Sequence, residues 1–160
     1  MSGQSQLSRS PLISMLQYIQ EEQVVSPHTR IVLHYLVKLQ RDALFIDKLC
    51  KIKNHFGDLF DGHLWITRQE TAISDLSLPP ETTLQVHRPI VYSQSEIGKP
   101  WGWWTSFSDH VLQHFDTMGK RAKSLVYICG PQGLTDRLLE MYKEQGMDTA
   151  DGHVQVEKWW

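Results

Sequence analysis

Cysteine is scarce in this sequence, with only Cys50 and Cys129 among 160 residues. Two cysteines this far apart form neither a disulfide framework nor a cysteine-rich zinc site, so a reducing compartment is the simplest interpretation. Long apolar runs are also missing, since none exceeds the length of a strand, and this predicts that no segment spans a membrane. The N-terminus lacks a basic segment followed by an apolar one, which argues against secretion.

Charge of one sign is not in excess either. Sixteen Lys and Arg residues face eighteen Asp and Glu residues, which gives a formal net charge of -2. Such a chain has no overall field to attract phosphate backbones or anionic lipid, so nucleic acid is not expected as a partner. The length suits one domain, because a chain of this size buries about 68–70% of the surface that its unfolded form exposes.

Hydrophobic periodicity alternates between helix and strand along the chain. Helices are predicted at about 10–22, 40–54, 108–118 and 132–145, and strands at 30–37, 63–67, 124–128 and 153–160. The second helix should turn Leu44, Phe45, Leu49 and Ile52 to one face. Residues 70–104 contain four prolines and two short β-like pieces, and we interpret them as a long functional connection. The alternation is typical of an α/β fold with a parallel sheet and helices on both faces.

One segment combines a strand, a tight turn and a helix in VYICGPQG. In open α/β sheets, ligands bind at the carboxyl ends of the strands, where a small residue admits the ligand and a helix N-terminus attracts an anion. This places Cys129, Gly130 and Pro131 beside a nucleotide. The alternative is a structural turn that needs its glycine only for the backbone angle.

This unit, with the aromatic pair that ends the chain, resembles the C-terminal domain of the ferredoxin-NADP reductase superfamily. Within it, the sequence is most similar to the oxidoreductase NAD-binding domain-containing proteins. The similarity is strongest in PLISMLQYI, in the stretch from YLVK to ALFIDKL, in WITRQ, and in VYICGPQG with EKWW. It implies a doubly wound parallel sheet, with residues 11–160 as the NAD(P)-binding domain and residues 1–10 as a truncated or atypical N-terminal segment. Relatives of this type are often mitochondrial, whereas the lack of a visible targeting signal favours the cytoplasm.

The resemblance also implies a reaction, the transfer of a hydride from NAD(P)H to FAD and of electrons onward to an acceptor. It places Cys129 near the site of hydride transfer and Trp160 or Trp159 over the flavin ring, so that Cys129 and Trp160 are its catalytic residues. Thr67 and Arg68 correspond to a Ser-Arg pair that holds the 2′-phosphate of NADP. The alternatives are a solvated charge for Arg68, and tryptophans that cap the sheet edge or fill an interface.

The sequence departs from the family at its beginning. Relatives enter the first helix from a buried strand through a loop of the form GGVGINP, whereas here SQLSRS precedes Pro11. Pro11 and the helix start remain as an anion site, but the glycines that bring backbone N–H groups to the pyrophosphate are replaced. In the order 3-2-1-4-5 the absent strand is the central one, so another segment must pair into the gap or the chain is a truncated isoform or an incomplete gene model.

The flavin-binding barrel of the family is absent as well, so FAD is expected only if a flavin domain is supplied in trans or by a longer isoform. The expected partners are therefore the nicotinamide nucleotide, a flavin-binding domain and an electron-acceptor protein. The alternative function, from another class, is a catalytically inert truncated isoform that acts as an interaction module.

Three further features carry weaker predictions. The tryptophans Trp101, Trp103 and Trp104 form a stacking platform or, more often for such clusters, pack internally. His110 and His114 have a helical i, i+4 spacing that can bind zinc, but no adjacent Glu completes the motif and no metal is expected. The remaining cysteine, Cys50, is interpreted as a small buried apolar residue.

Overall fold

Four helices and five strands make up the computed structural model, which describes residues 11–22, 29–67, 83–88, 103–117 and 124–159. In chain order they are α1 (Pro11–Glu22), β1 (Ile31–Val37), α2 (Ile46–Phe56), β2 (Phe60–Ile66), β3 (Gln85–His87), α3 (Trp104–Thr117), β4 (Val126–Pro131), α4 (Gln132–Glu144) and β5 (Val154–Trp159). The fold is α/β with parallel strands, as the alternating periodicity predicted. Among the described residues, no helix has the length and apolar character needed to cross a bilayer.

The chain divides into two compact units, residues 1–102 and residues 103–160. The first unit contains a three-stranded parallel sheet in the order β1-β2-β3. Side chains of a strand alternate between the two faces of a sheet, so Leu33 and the partner of its register, Gly62, lie on the same face as Phe60 and Leu64. This face is apolar and is covered by α1 and α2, whose buried residues complete the core: Ile13, Leu16, Leu49 and Ile52.

Gly62 has a packing requirement in this core. A Cβ atom at this position would lie 2.4 Å from Cδ2 of Leu84 and 2.8 Å from Cε1 of Phe60. Both distances are too short for carbon atoms, so the two side chains fill the space that the glycine leaves.

The first helix agrees with its prediction, since α1 begins at Pro11 and ends at Glu22. Proline fits the first turn because the N–H that it lacks would have no partner there. The apolar positions that follow it place Ile13 and Leu16 in the core. Ser10, its predicted N-cap, lies outside the described residues.

The second predicted helix, 40–54, is wrong in its first part. Residues Gln40–Asp42 form a single turn of 3-10 helix, and α2 begins only at Ile46. A carboxylate oxygen of Asp42 accepts a hydrogen bond from the backbone N–H of Leu39 at 3.1 Å, a local bond that competes with helix formation. Leu44, predicted on the apolar face, consequently lies in the turn and is 66% exposed.

The second unit contains a pair of parallel strands, β4 and β5, joined through α4. Its buried side chains come from both helices, both strands and the segment after α4: Phe107, Val111, Ile128, Thr135, Leu138, Met141, Tyr142, Met147 and Val154. The predicted end of α4 at Gly146 is confirmed, since this glycine has a φ of 77°. The N–H of Met147 bonds the carbonyl of Tyr142 at 3.0 Å, and that of Gly146 bonds the carbonyl of Lys143 at 2.9 Å, which together make a Schellman motif.

The helix predicted at 108–118 begins earlier, at Trp104. The ring of Trp103 contacts those of Trp104 and Phe107, with centroids 5.9 Å and 5.4 Å away. The guanidinium of Arg137 lies 5.1 Å from the ring centre of Trp104. These contacts agree with internal packing of the two tryptophans, while Trp101 lies outside the described residues.

Candidate functional site

The turn predicted at residues 129–131 is the end of a strand. Cys129, Gly130 and Pro131 are the last three residues of β4, and α4 begins at the next residue, Gln132. Pro131 is the N-cap of the helix, with φ of -60° and ψ of 147°, and its side chain makes no capping hydrogen bond. Backbone N–H groups in the first turn of a helix have no partner within that helix. The three residues therefore lie where a parallel strand meets the positive end of a helix.

Gly130 is not required by its backbone angle, because the glycines with positive φ in the described chain are Gly57, Gly146 and Gly152. The structural alternative for this glycine is therefore wrong. Nor do the described residues crowd it, since an added Cβ would have one neighbour within 4 Å, Cδ2 of Leu134 at the ordinary contact distance of 3.5 Å. The described fold accommodates a methyl group at this position.

A tyrosine and a glutamate flank Cys129 on the same face of this sheet. Glu157 is paired in register with Cys129, and Tyr127 stands two residues before it on β4. The Tyr127 hydroxyl donates a hydrogen bond of 2.6 Å to Oε2 of Glu157. This hydrogen bond, with smaller effects of burial and of nearby charge, raises the pKa of Tyr127 to about 12. The half-buried thiol of Cys129 thus shares its face with a neutral phenol and a carboxylate.

The two terminal tryptophans are described only in part. The backbone of Trp159 pairs with Pro131, so the last residue of β5 lies beside the last residue of β4. Its side chain and the whole of Trp160 lie outside the described residues, and so the predicted flavin cover is untested.

Thr67 follows β2 at the carboxyl end of the other sheet. Its hydroxyl donates to the carbonyl of Val37 at 3.2 Å, and its N–H donates to the same oxygen at 2.9 Å. The hydroxyl therefore binds the end of the neighbouring strand, although its lone pairs can still accept a hydrogen bond. Arg68, its predicted partner on a phosphate, lies outside the described residues. The half-buried Pro11 begins α1, as predicted, and the anion site at this helix start stays a prediction.

Sequence reasoning did not single out a second arginine at this edge. Arg88 comes directly after β3, and its guanidinium donates to Oε1 of Gln40 at 2.8 Å. Gln40 follows β1, so the exposed Arg88 and the half-buried Gln40 meet near the carboxyl ends of the outer strands. The signal was available, since an arginine after a strand lies at the edge where open α/β sheets bind ligands. That strand lies within residues 70–104, whose short β-like pieces were interpreted as part of a connection.

Known proteins offer no further guide. Comparison of the chain with protein-family models, with curated proteins and with solved structures gives no match.

The face of the first sheet opposite α1 and α2 carries a group of polar and aromatic side chains that the sequence analysis missed. His34 of β1 pairs in register with His63 of β2, and Trp65 of β2 pairs with His87 of β3. With Asp61, these residues form what we term the histidine cluster. The signal in the sequence was the alternation of Asp61, His63 and Trp65 with the apolar residues of β2, because alternate residues share a face.

Short contacts connect the histidine cluster across all three strands. Nδ1 of His63 lies 3.0 Å from Nε2 of His87, and Nε2 of His63 lies 3.3 Å from Oδ1 of Asp61. The ring of Trp65 stacks on His87 with centroids 4.0 Å apart, and its Nε1 donates to Nδ1 of His34 at 3.2 Å. His34 in turn stacks on His63 at 5.0 Å.

Asp61 is held in place from outside the cluster. Arg30 donates to its Oδ2 at 3.0 Å, and Gln85 donates to its Oδ1 at 3.2 Å. His63 is 1% exposed, and a polar group buried this deeply is stable only with polar partners.

The second unit has its own pair of histidines, as predicted from their spacing on a helix. The rings of His110 and His114 on α3 meet edge to face, with centroids 4.6 Å apart, and both are half-buried.

Proposed function

We propose that this chain is the NAD(P)H-binding domain of a flavin-dependent oxidoreductase related to the ferredoxin-NADP reductase superfamily. The observation that carries the proposal is Gly130, which neither the backbone angle nor the packing of the described residues requires. A glycine that neither of these two features requires, at the carboxyl end of a parallel strand and one step before a helix N-terminus, suits the close approach of a planar ligand such as a nicotinamide.

In this proposal the nicotinamide lies along residues 129–131, with Cys129 beside the carbon that gives up the hydride. When bound, the nicotinamide supplies the hydride and FAD accepts it, which is chemistry that belongs to the cofactors. The role of the chain is to orient the nicotinamide ring. The hydrogen bond from Tyr127 holds the Glu157 carboxylate at a fixed position on the same face. Trp159 or Trp160 would cover the flavin until the nicotinamide displaces it.

The adenosine phosphate is assigned to the carboxyl edge of the other sheet. Thr67 supplies hydroxyl lone pairs there, and a phosphate needs a donor such as the guanidinium of Arg68. Arg88 is a second cation at the end of a strand. Its hydrogen-bond partner Gln40 is neutral and does not balance its charge.

The finer topology that we propose is the doubly wound order without its first strand. In that order the first strand separates the strand equivalent to β1 from the strand equivalent to β4. Among the described residues, β1 stands at one end of its sheet and β4 belongs to a separate pair, which supports this topology. Hydrogen exchange would contradict it if the amides of β1 and β4 were protected on both sides of each strand.

A thermal melt of the chain with NADP, with NAD and with neither is the experiment that tests the proposal. A ligand at about 100 times its Kd stabilises the folded state by about 2.7 kcal/mol. We expect both nucleotides to raise the Tm, NADP more than NAD, and Gly130→Ala to weaken both by at least about tenfold while leaving the unliganded Tm unchanged. Gly133→Ala, three residues further on, is the control for an added methyl group. A Tm that neither nucleotide raises would refute the proposal.

The assignment of Arg68 is tested by the same melt. Arg68→Ala should reduce the shift caused by NADP much more than the shift caused by NAD, because only NADP carries the 2′-phosphate. Equal losses for the two nucleotides would reject this role, while Arg88→Ala measures how far the second arginine contributes.

The second candidate function is a catalytically inert interaction module, with a flavin domain or an acceptor protein as its partner. The bond from the Thr67 hydroxyl to Val37 favours it, because that donor is already used within the protein. Failure to reduce ferricyanide with NADPH and added FAD, by a chain that still binds the nucleotide, would support the inert module.

A further inference from the structure

The two central histidines of the histidine cluster are arranged as metal ligands. Nδ1 of His63 and Nε2 of His87 face each other at 3.0 Å. Two imidazole nitrogens bound to one zinc ion at about 2.0–2.1 Å with tetrahedral angles lie about 3.3–3.4 Å apart. A shift of a few tenths of an ångström would therefore admit an ion between them, in place of the proton that now joins them.

The surroundings of His63 match those of a metal-bound histidine. Such histidines usually turn their other ring nitrogen to a carboxylate, which fixes the tautomer and orients the ring. Here Nε2 of His63 lies 3.3 Å from Oδ1 of Asp61, and Asp61 is itself held by Arg30 and Gln85. An ion on Nδ1 requires the proton of His63 to reside on Nε2, the ring nitrogen that lies 3.3 Å from the Asp61 carboxylate.

The positions of both rings are fixed by stacking. His34 stacks on His63, and Trp65 stacks on His87 with an angle of 11° between the ring planes. Since His63 is buried and His87 is half-buried, the approach for an ion is from the side of His87. Three neighbouring strands supply the residues, so their separation is set by the spacing of a hydrogen-bonded sheet rather than by a loop.

We propose that His63 and His87 bind a divalent transition metal ion, with Asp61 as the carboxylate that orients His63. Imidazole ligands suit zinc, copper and nickel, and copper(II) binds most tightly among them. The two histidines supply two ligands, and water or another donor completes the coordination. This proposal does not rest on the proposed nucleotide binding, because none of these residues has a role assigned there.

Titration of the full chain with copper(II) tests the proposal through the fluorescence of tryptophan and through electron paramagnetic resonance. Because Trp65 stacks on His87 at 4.0 Å, a paramagnetic ion bound there should quench its emission, and nitrogen hyperfine splitting should report the imidazoles. Quenching caused by copper(II) at this site should saturate at low metal concentration, and we expect Trp65→Phe to remove that part of the quenching. Zinc, which is diamagnetic, should compete and restore the emission.

Three variants locate the ion. His87→Gln should weaken copper binding by at least about tenfold, and Asp61→Asn by about 10–100-fold, the usual effect of losing a carboxylate behind a metal ligand. His55→Gln, at an exposed histidine of α2, is the matched control and should leave the affinity unchanged. Circular dichroism and the Tm establish that each variant is folded, and Asp61→Asn provides the test if His87→Gln is not.

Two results would overturn the proposal. One is an unchanged copper affinity in a folded His87→Gln variant. The other is loss of binding in a His110→Gln, His114→Gln double variant while His87→Gln still binds, which would assign the ion to the pair on α3.

Discussion

Tyr142 illustrates how burial alone changes the pKa of a single side chain. Its side chain lies in the core of the second unit, and burial raises the pKa of its hydroxyl to about 12 from an ordinary value of 10.0. In Tyr127 the same pKa is reached mainly through a hydrogen bond to Glu157, at a half-buried site. Equal shifts therefore have unequal consequences for stability, because solvent screens the half-buried Tyr127 more than the buried Tyr142.

The buried tyrosine predicts a loss of stability in alkali. The unfolded chain loses this proton near pH 10 and the folded chain near pH 12, so the stabilisation is complete below pH 10 and disappears between pH 10 and 12. Its size is about 2–3 kcal/mol for a shift of this order. Tyr142→Phe should remove most of this decrease in the free energy of unfolding when it is measured with urea from pH 9 to 11.5.

Tyr18→Phe, at a tyrosine that is 58% exposed, controls for the loss of a tyrosine hydroxyl elsewhere. The same pH dependence in Tyr142→Phe and in the unchanged protein would contradict the prediction.

At the scale of the element, the two faces of β2 separate two kinds of chemistry. Phe60, Leu64 and Ile66 pack in the core, while Asp61 and His63 belong to the histidine cluster. Both sets alternate along the same seven residues, as the pleat of a strand requires. The predicted strand, 63–67, begins three residues after β2 does. It leaves out Asp61, so the alternation of polar and apolar residues could not be recognised.

The ends of elements depend on local bonds, and α4 allows a paired test. Gly146→Ala should destabilise the protein by about 1–2 kcal/mol, because its φ of 77° brings a Cβ atom close to the carbonyl oxygen. Gly133→Ala, within the first turn of the same helix, should stabilise it by about 0.5–1 kcal/mol, since alanine loses less conformational entropy. Denaturant unfolding of both variants measures the difference, and effects of the same sign would contradict it.

At the scale of the whole molecule, the core depends on contacts between distant segments. Leu49 of α2 is fully buried among residues from α1, β1 and β2, whereas Leu44 is 66% exposed only five positions earlier. Periodicity assigned both to one helical face. They differ because the bond between Asp42 and the Leu39 backbone closes a turn before α2 begins.

A pair of identical substitutions checks this difference. Leu49→Ala should lower the free energy of unfolding by about 2–5 kcal/mol, because it leaves a cavity in a closely packed region. Leu44→Ala should change it by no more than about 0.5 kcal/mol, as expected at the surface. Thermal and urea unfolding report both values, and a large loss at Leu44 would restore the longer helix.

The sequence by itself determined the order and type of the described helices and strands except β3. Hydrophobic periodicity, a proline at the start of α1 and a glycine after α4 act over a few residues, so they could be read without knowing the fold. The same local signals predicted parallel strands and a strand followed directly by a helix, although the strand continues through the predicted turn to Pro131.

Only the tertiary structure decided which residues meet. His34 lies 29 positions before His63 in the sequence, and His87 lies 24 positions after it. No local pattern in the sequence fixes the register that brings these three residues together. The freedom of Gly130 to accept a Cβ, the bond of Tyr127 to Glu157 and the place of Arg88 beside Gln40 are likewise long-range facts. They depend on how strands pair and helices pack, which is set by burial summed over the whole core rather than by any one segment.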